Sequence, residues 1–249
     1  MKRWRLLFAI ALLACLSARP ASAFQVVWGT SWDGPSNELQ KIVDAKYGVG
    51  ALDVKTGYIG YHAGDPDPWY WIDGGFDALI VKEVAGNANS NYVGWYKDTG
   101  VAPVIDGIDD GIVFTGPANS SNPPVFISLG TIQRFGFFMN PNGTYGAANA
   151  PEPEKFFTNR FYNDLGPSGA GALHAPFDGD VQALIYDISH LRGANTWLVC
   201  FEDLDTGANI GPCCATTDND FNDFVFEVTA VGVTPAQRMS LGQLKVRYR

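Results

Sequence analysis

The chain reads as an all-β protein, a two-sheet antiparallel β-sandwich of jelly-roll-like character with one short N-terminal helix. Three observations predict this. Short apolar or alternating runs rich in Val, Ile, Phe and Tyr recur along the sequence. Clusters of Gly, Pro, Asn and Asp separate most of them, drawn from 28 glycines and 15 prolines. Helical periodicity does not alternate with the runs, which argues against a parallel α/β sheet. Charged residues make up only 17% of the chain, so neither a disordered segment nor a solvated helical bundle fits.

The first 23 residues read as a secretory signal peptide. Lys2, Arg3 and Arg5 form a basic start, Leu6 to Leu16 an apolar run too short to span a bilayer, and Ala21-Ser22-Ala23 a small-residue cleavage site. The alternative is lipoprotein processing at Cys15, after Leu12-Leu13-Ala14. Either route places the mature chain outside the cell or on its surface, with no transmembrane segment. The leader carries four of the 17 basic residues and no acid, so 13 positive charges then face 26 negative ones. That acidic field repels nucleic acid and anionic membranes and attracts cations.

The helix is predicted between Ser36, as cap, and Gly48, with Leu39, Ile42 and Val43 on one face. Strands are predicted over 58–62, 76–84, 92–96, 125–129, 134–139, 173–177, 181–188, 196–201 and 224–231. The organisation is then residues 24–130 as the N-terminal part of the sandwich region, 131–232 as a C-terminal β domain, and 233–249 as a basic tail containing Arg238, Lys245, Arg247 and Arg249. The Pro, Gly and Ala-rich segment 140–154 reads as a surface loop.

The most chemically loaded stretch is Asp218-Asn219-Asp220-Phe221-Asn222-Asp223. Asp218, Asp220 and Asn222 stand at i, i+2 and i+4, a spacing at which short oxygen-bearing side chains converge on a hard cation. Phe224, Phe226 and Val228 continue the parity toward a core. A helix-loop-helix calcium site is excluded, because Asp223 stands where glycine would be required and Thr229 where glutamate would be. The bland reading is an Asp/Asn turn whose side chains satisfy their own backbone. A second acidic end, Glu202-Asp203, follows the apolar run 197–201. A disulfide from Cys200 to Cys213 or Cys214 would bring it beside Asp218, closing a loop of about a dozen residues worth roughly 3 kcal/mol. Glu202, Asp203, Asp218, Asp220, Asn222 and Asp223 are therefore the candidate metal ligands, and all-oxygen donors in a secreted chain point to Ca²⁺.

These residues also resemble a known family. Phe201-Glu202-Asp203-Leu204, followed after a loop by Asp218-Asn219-Asp220-Phe221-Asn222-Asp223-Phe224-Val225-Phe226, is similar to the closing signature of a bacterial extracellular domain of unknown function. That domain occurs in exported proteins with PEP-type C-terminal sorting signals and in large calcium-dependent adhesins. Arg134-Phe135-Gly136-Phe137-Phe138 resembles its early strand and Leu173-His174-Ala175 the segment before its middle strands, so the resemblance covers about Thr131 to Val231. Upstream, Leu39-Gln40-Lys41-Ile42 and Tyr92-Val93-Gly94-Trp95-Tyr96 resemble the region that often precedes it. The family implies an all-β, non-enzymatic extracellular module with the acidic signature as its metal-binding part. Thr234-Pro235-Ala236 and the basic tail depart from a PEP-type ending, having no apolar helix between them.

Nothing specific points to catalysis. His62, His174 and His190 are the only histidines, and no nucleophile elbow or His-Glu-x-x-His pair is present. The expectation is a non-catalytic Ca²⁺-binding module with a structural, adhesive or ligand-presenting role. The alternative is a carbohydrate-binding module using Trp69, Tyr70 and Trp71 behind the rigid Asp65-Pro66-Asp67-Pro68 turn, with extracellular polysaccharide or a cell-surface component as partner. A third reading, a glycan-cleaving enzyme, needs two carboxylates facing each other across a cleft.

Overall fold

The computed structural model describes residues 24, 26–62, 65, 70–85, 90–116, 119–141, 155–163, 181–204 and 217–230. Along the chain run helix α1 (Leu39–Tyr47), strands β1 (Trp71–Glu83), β2 (Tyr92–Lys97), β3 (Asp110–Thr115), β4 (Val125–Asn140) and β5 (Phe156–Phe157), and the helical turn α2 (Arg160–Asn163). Strand β6 (Ala183–Asp187), the turn α3 (Ser189–Arg192), and strands β7 (Thr196–Phe201) and β8 (Phe224–Ala230) follow. The strands join in one eight-stranded sheet of order β3-β2-β4-β1-β8-β7-β6, with β5 paired to β4. All pairings are antiparallel.

The expected all-β, sandwich-like fold is present, with its layers hydrogen-bonded into one continuous sheet. Strand β4 is 16 residues long and makes that possible. Its first part pairs with β1 from Val125 to Phe135, and its second with β2 from Phe135 to Asn140. Between Asp73 and Gly75 the β1–β4 register slips. Across from the slip, Gly130 has φ of 76°, a conformation that glycine takes without penalty. The sheet then curls onto its own inner face. The ring of Phe114, on edge strand β3, stacks on Phe224 at 5.8 Å and meets Phe226 edge-on at 5.7 Å, both on β8.

Alternation decides which residues fill that closed face. Phe76, Ala78 and Ile80 of β1, Phe135, Phe137 and Met139 of β4, and Phe224, Phe226 and Val228 of β8 share one core cluster. The opposite face of the β6–β8 region is also covered. Leu184, Tyr186, Leu198, Cys200 and Val225 pack with Leu39, Ile42 and Val43 of α1 and with Leu52, Val54 and Tyr58. Strand β7 is consequently buried along its whole length. A polar pin holds this second layer: Glu227 accepts from Tyr47 Oη at 2.9 Å and from Arg192 Nε at 3.0 Å.

Several expectations change. The helix starts at Leu39 with Glu38 as cap and no side-chain cap bond, so Ser36 does not cap it, while Gly48 ends it as read. Residues 58–62 form turns rather than a strand, because Tyr58 is drawn inward: its hydroxyl donates to the Phe24 carbonyl and its ring packs edge-on to Tyr61 and Tyr186. The runs 125–129 and 134–139 are one strand. Strand β3, at a run for which no strand is predicted, begins at Asp110 in the acidic, Gly-containing stretch Asp106-Gly107-Ile108-Asp109-Asp110. The run 173–177, with His174, and the basic tail lie outside the described residues.

Phe226 packs against Phe114, Phe137, Phe201 and Phe224. Phe226→Ala is expected to cost about 3–5 kcal/mol in urea unfolding. Phe126→Ala, at a residue 58% exposed, is expected to stay within about 0.5 kcal/mol. Equal losses would contradict the closed-face core.

Candidate metal centre

Strands β7 and β8 pair with Phe201 opposite Phe224. The next residue out on β7 is Glu202, and the one preceding Phe224 is Asp223, so antiparallel pairing alone places the two acidic ends together. No covalent link is involved. Cys200 is a free thiol, fully buried in the second apolar layer, where burial pushes its pKa upward. The disulfide expected from it is therefore not formed; Cys213 and Cys214 lie outside the described residues. By parity Cys200 alternates with Val199 and Phe201 and packs on the face covered by α1.

The carboxylates gather in two triads that share Glu202. Oxygens of Glu202, Asp203 and Asp223 lie within 4.8 Å of one another, and so do those of Glu202, Asp218 and Asp220. Glu202, Asp203, Asp220 and Asp223 are buried, and Asp218 is half-buried. The loop achieves this by unusual backbone. Asn219 and Phe221 have φ of 50° and 56°. Asparagine tolerates that region, but phenylalanine pays of order 1–3 kcal/mol for it. The Phe221 ring offsets this by packing into the second apolar layer, edge-on to Trp28 at 5.6 Å.

Hydrogen bonds orient each group. Glu202 accepts from Thr217 Oγ1 at 2.8 Å on Oε1, and from the backbone N–H groups of Asp220 and Phe221 at 3.1 and 3.2 Å on Oε2. Three of its roughly four lone-pair positions are thus used, and one on Oε1 remains. Asp223 Oδ2 accepts from the Asp203 backbone at 2.8 Å, and Asp203 Oδ2 accepts from Asn91 Nδ2 at 3.0 Å. Asp218 Oδ2 takes the Trp32 N–H at 2.7 Å, and Asp220 Oδ1 the Asn222 N–H at 3.1 Å. The self-satisfying turn is therefore partly present. It is incomplete: Asn222 Oδ1 is buried without a partner, although Asn222 Nδ2 reaches Ser31, Asn37 and Asp220.

Charge is the unusual feature. Among the described residues no Lys or Arg pairs with these acids. Two buried carboxylates elsewhere have such partners: Arg192 at Glu227 and Arg134 at Asp98, both at 3.0 Å. Burial, with neighbouring carboxylates adding, lifts Glu202 to about 7 and Asp220 to about 6, and raises Asp203 and Asp223 as well. Glu83, at the end of β1 and opposite Phe224, joins the field: burial and then Asp203 lift it to about 8, and its Oε1 is unpartnered. Its sequence signal is the same as that of Glu202, an acid ending an apolar run. Asp33, Ser31 and Thr217 carry no such signal.

The other sequence-predicted residues are dispersed. Trp71 is only 3% exposed, wedged among Phe135, Phe137 and Trp197. It sits on the inward parity of β1, in the core cluster instead of at the surface. Tyr70 is half-buried with the Arg134 guanidinium 4.3 Å above its ring, and Trp69 lies outside the described residues. His62 stacks edge-on to Tyr61, and His190 is exposed on α3.

Comparison with known proteins adds one finding. Residues 129–231 match a domain of unknown function (DUF4114). No curated protein and no solved structure matches the chain. The matched segment contains every carboxylate of both triads, but it is not a separate body here. It begins inside β4, and β1, contributed from upstream, lies between β4 and β8.

The raised carboxyl pKa values have a definite sign. Each group binds its proton more tightly folded than unfolded, so stability is fully present below the unfolded pKa, near 4, and is lost as pH rises through about 6 to 8. Metal-free protein is expected to melt at a higher temperature at pH 5 than at pH 8 by calorimetry. A melting temperature that rises across that window would contradict unpaired burial of these acids.

Proposed function

We propose that the protein is a non-catalytic, secreted or cell-surface module whose acidic end holds Ca²⁺. The observation that carries this reading is the contrast in charge pairing. Two buried carboxylate triads have no cationic side chain among the described residues, whereas Glu227 and Asp98 each have an arginine. Two like charges 4 Å apart repel by about 4 kcal/mol at an effective dielectric of 20. A divalent cation converts that repulsion into attraction.

The donor set fits a hard cation. Every candidate ligand is an oxygen: Glu202, Asp203, Asp218, Asp220 and Asp223 supply carboxylates, and the buried, unpartnered Asn222 Oδ1 is a further neutral donor. Ca²⁺ takes six to eight such oxygens in flexible arrangements, whereas Mg²⁺ demands near-octahedral order and retains water. Bound there, the ion would tie the β7 end to the 217–223 loop. That supports a structural or ligand-presenting role outside the cell, where calcium is plentiful and the predicted leader would send the chain. The carbohydrate reading through Trp69, Tyr70 and Trp71 is weakened by the burial of Trp71 in the core.

Calcium titrated into chelated protein at pH 8 is expected to release or absorb heat and to raise the melting temperature. At a free concentration 100 times the dissociation constant the gain is about 2.7 kcal/mol, or several degrees for a domain of this size. Asp223→Asn keeps the acceptor for the Asp203 N–H but removes a charge. It is expected to raise the melting temperature of the chelated protein and to abolish most of the calcium shift. Asp109→Asn, at an exposed carboxylate paired with Lys97, is expected to change neither. No heat and no thermal shift in the wild type would sink the proposal.

A further inference from the structure

The acidic loop does not stand alone: a stretch of chain nearly 190 residues away in sequence is folded against it. The Gly29 N–H donates to the Asn219 carbonyl at 3.1 Å, and the Trp32 N–H to Asp218 Oδ2 at 2.7 Å. Asn222 Nδ2 donates back to Ser31 Oγ at 3.1 Å and to the Asn37 carbonyl at 2.6 Å. The Trp28 ring packs edge-on to Phe221, whose own N–H donates to Glu202 Oε2. Residues 28–37 thus touch the loop at each of positions 218, 219, 221 and 222.

The approach is backbone against backbone. A Cβ placed on Gly29 would lie 1.6 Å from the Asp218 carbonyl oxygen and 2.6 Å from its carbon. No side chain can yield to relieve that overlap, so only glycine lets the two segments meet this closely. Ser31, buried beneath the contact, and Asp33, whose negative charge reaches Asp203 and Asp220, bring the same segment into the electrostatics of the site.

We infer that residues 28–37 are a clasp built into the acidic site, so that divalent-cation binding and docking of this N-terminal segment are one coupled event. The inference rests on the calcium reading and adds its regulation. The clasp holds Asp218 and Asn222 in the positions from which a cation is met, and a bound cation removes the repulsion that drives the loop open. Linkage makes the effect reciprocal: whatever affinity the clasp lends the ion, the ion lends the clasp. Withdrawing calcium then frees residues 28–37, baring Trp28 and Phe221 and opening the segment to proteases. Cation concentration would in this way set the exposure of the N-terminal segment.

Hydrogen exchange on the full chain, with calcium and with chelator, tests this directly. Calcium is expected to slow exchange of the amides in 28–37 and in 217–223 together, within the roughly 5- to 150-fold range of ordinary site coupling. Gly29→Ala is expected to weaken calcium binding by about tenfold or more, in line with that coupling range. Ser31→Ala removes a hydroxyl bonded to Asn222, to Asp220 and to the Asp33 N–H but leaves the Gly29–Asp218 backbone approach intact, and it keeps the test open if the glycine variant fails to fold; it should weaken binding by a smaller factor. Calcium protection confined to 217–223, with wild-type affinity in Ser31→Ala, would overturn the clasp and leave the calcium reading standing. No calcium heat and no protection in either segment would remove the calcium reading and the clasp with it.

Discussion

Unpaired negative charge buried at the end of a β-ladder is the constraint on which the rest of this structure turns. Carboxylates taken from water lose solvation worth several kcal/mol each unless another charge replaces it. At Glu227 the replacement is a guanidinium and a tyrosine hydroxyl; at Asp98 it is a guanidinium. At the Glu202 triads it is backbone N–H groups, the Thr217 and Ser31 hydroxyls and the Asn91 and Asn222 amides, with no Lys or Arg among the described residues. Such an arrangement either holds protons or holds a cation. The raised pKa values describe the first state, and the all-oxygen donor set suits the second.

The fold concentrates the charge by ordinary means. Antiparallel pairing of β7 with β8 puts Glu202 beside Asp223, and β1, pairing with β8 on its other side, delivers Glu83 to the same end. Apolar layers on both faces of β7 fix the strands that carry these ends. The successive N–H groups of Asp220 and Phe221 meet one oxygen of Glu202, and the cost of the left-handed Phe221 is offset by burial of its ring against Trp28. The core and the site are therefore mechanically continuous. The stretch of sequence matched to DUF4114 holds the carboxylates of both triads, while the upstream half supplies the central strand and the segment 28–37 packed against the acidic loop.

Much of this was legible in the sequence because it is local. Alternation of Phe224, Phe226 and Val228 placed them on the core face, and Glu202-Asp203 after an apolar run marked a strand end. The row Asp218, Asp220, Asn222 flagged a cation-type loop, although extended-chain parity does not survive the φ of Asn219 and Phe221. What stayed hidden depends on partners distant in sequence. The acidic ends meet through strand register, not through the expected disulfide, since Cys200 has the parity of the buried second layer. Trp71 reads as a loop aromatic until the early start of β1 puts it on an inward position. Gly29 and Ser31 have no local signature at all; their role exists only once the N-terminal segment lies against residue 218.

The most direct measurement is anomalous diffraction from crystals grown with calcium. A peak bounded by oxygens of Glu202 and of Asp218 with Asp220, or of Asp203 with Asp223, at about 2.3–2.6 Å is the result expected here. A map with no ion between these carboxylates, and with short carboxyl–carboxylate hydrogen bonds in its place, would contradict the cation and show that protons alone hold this end of the sheet together.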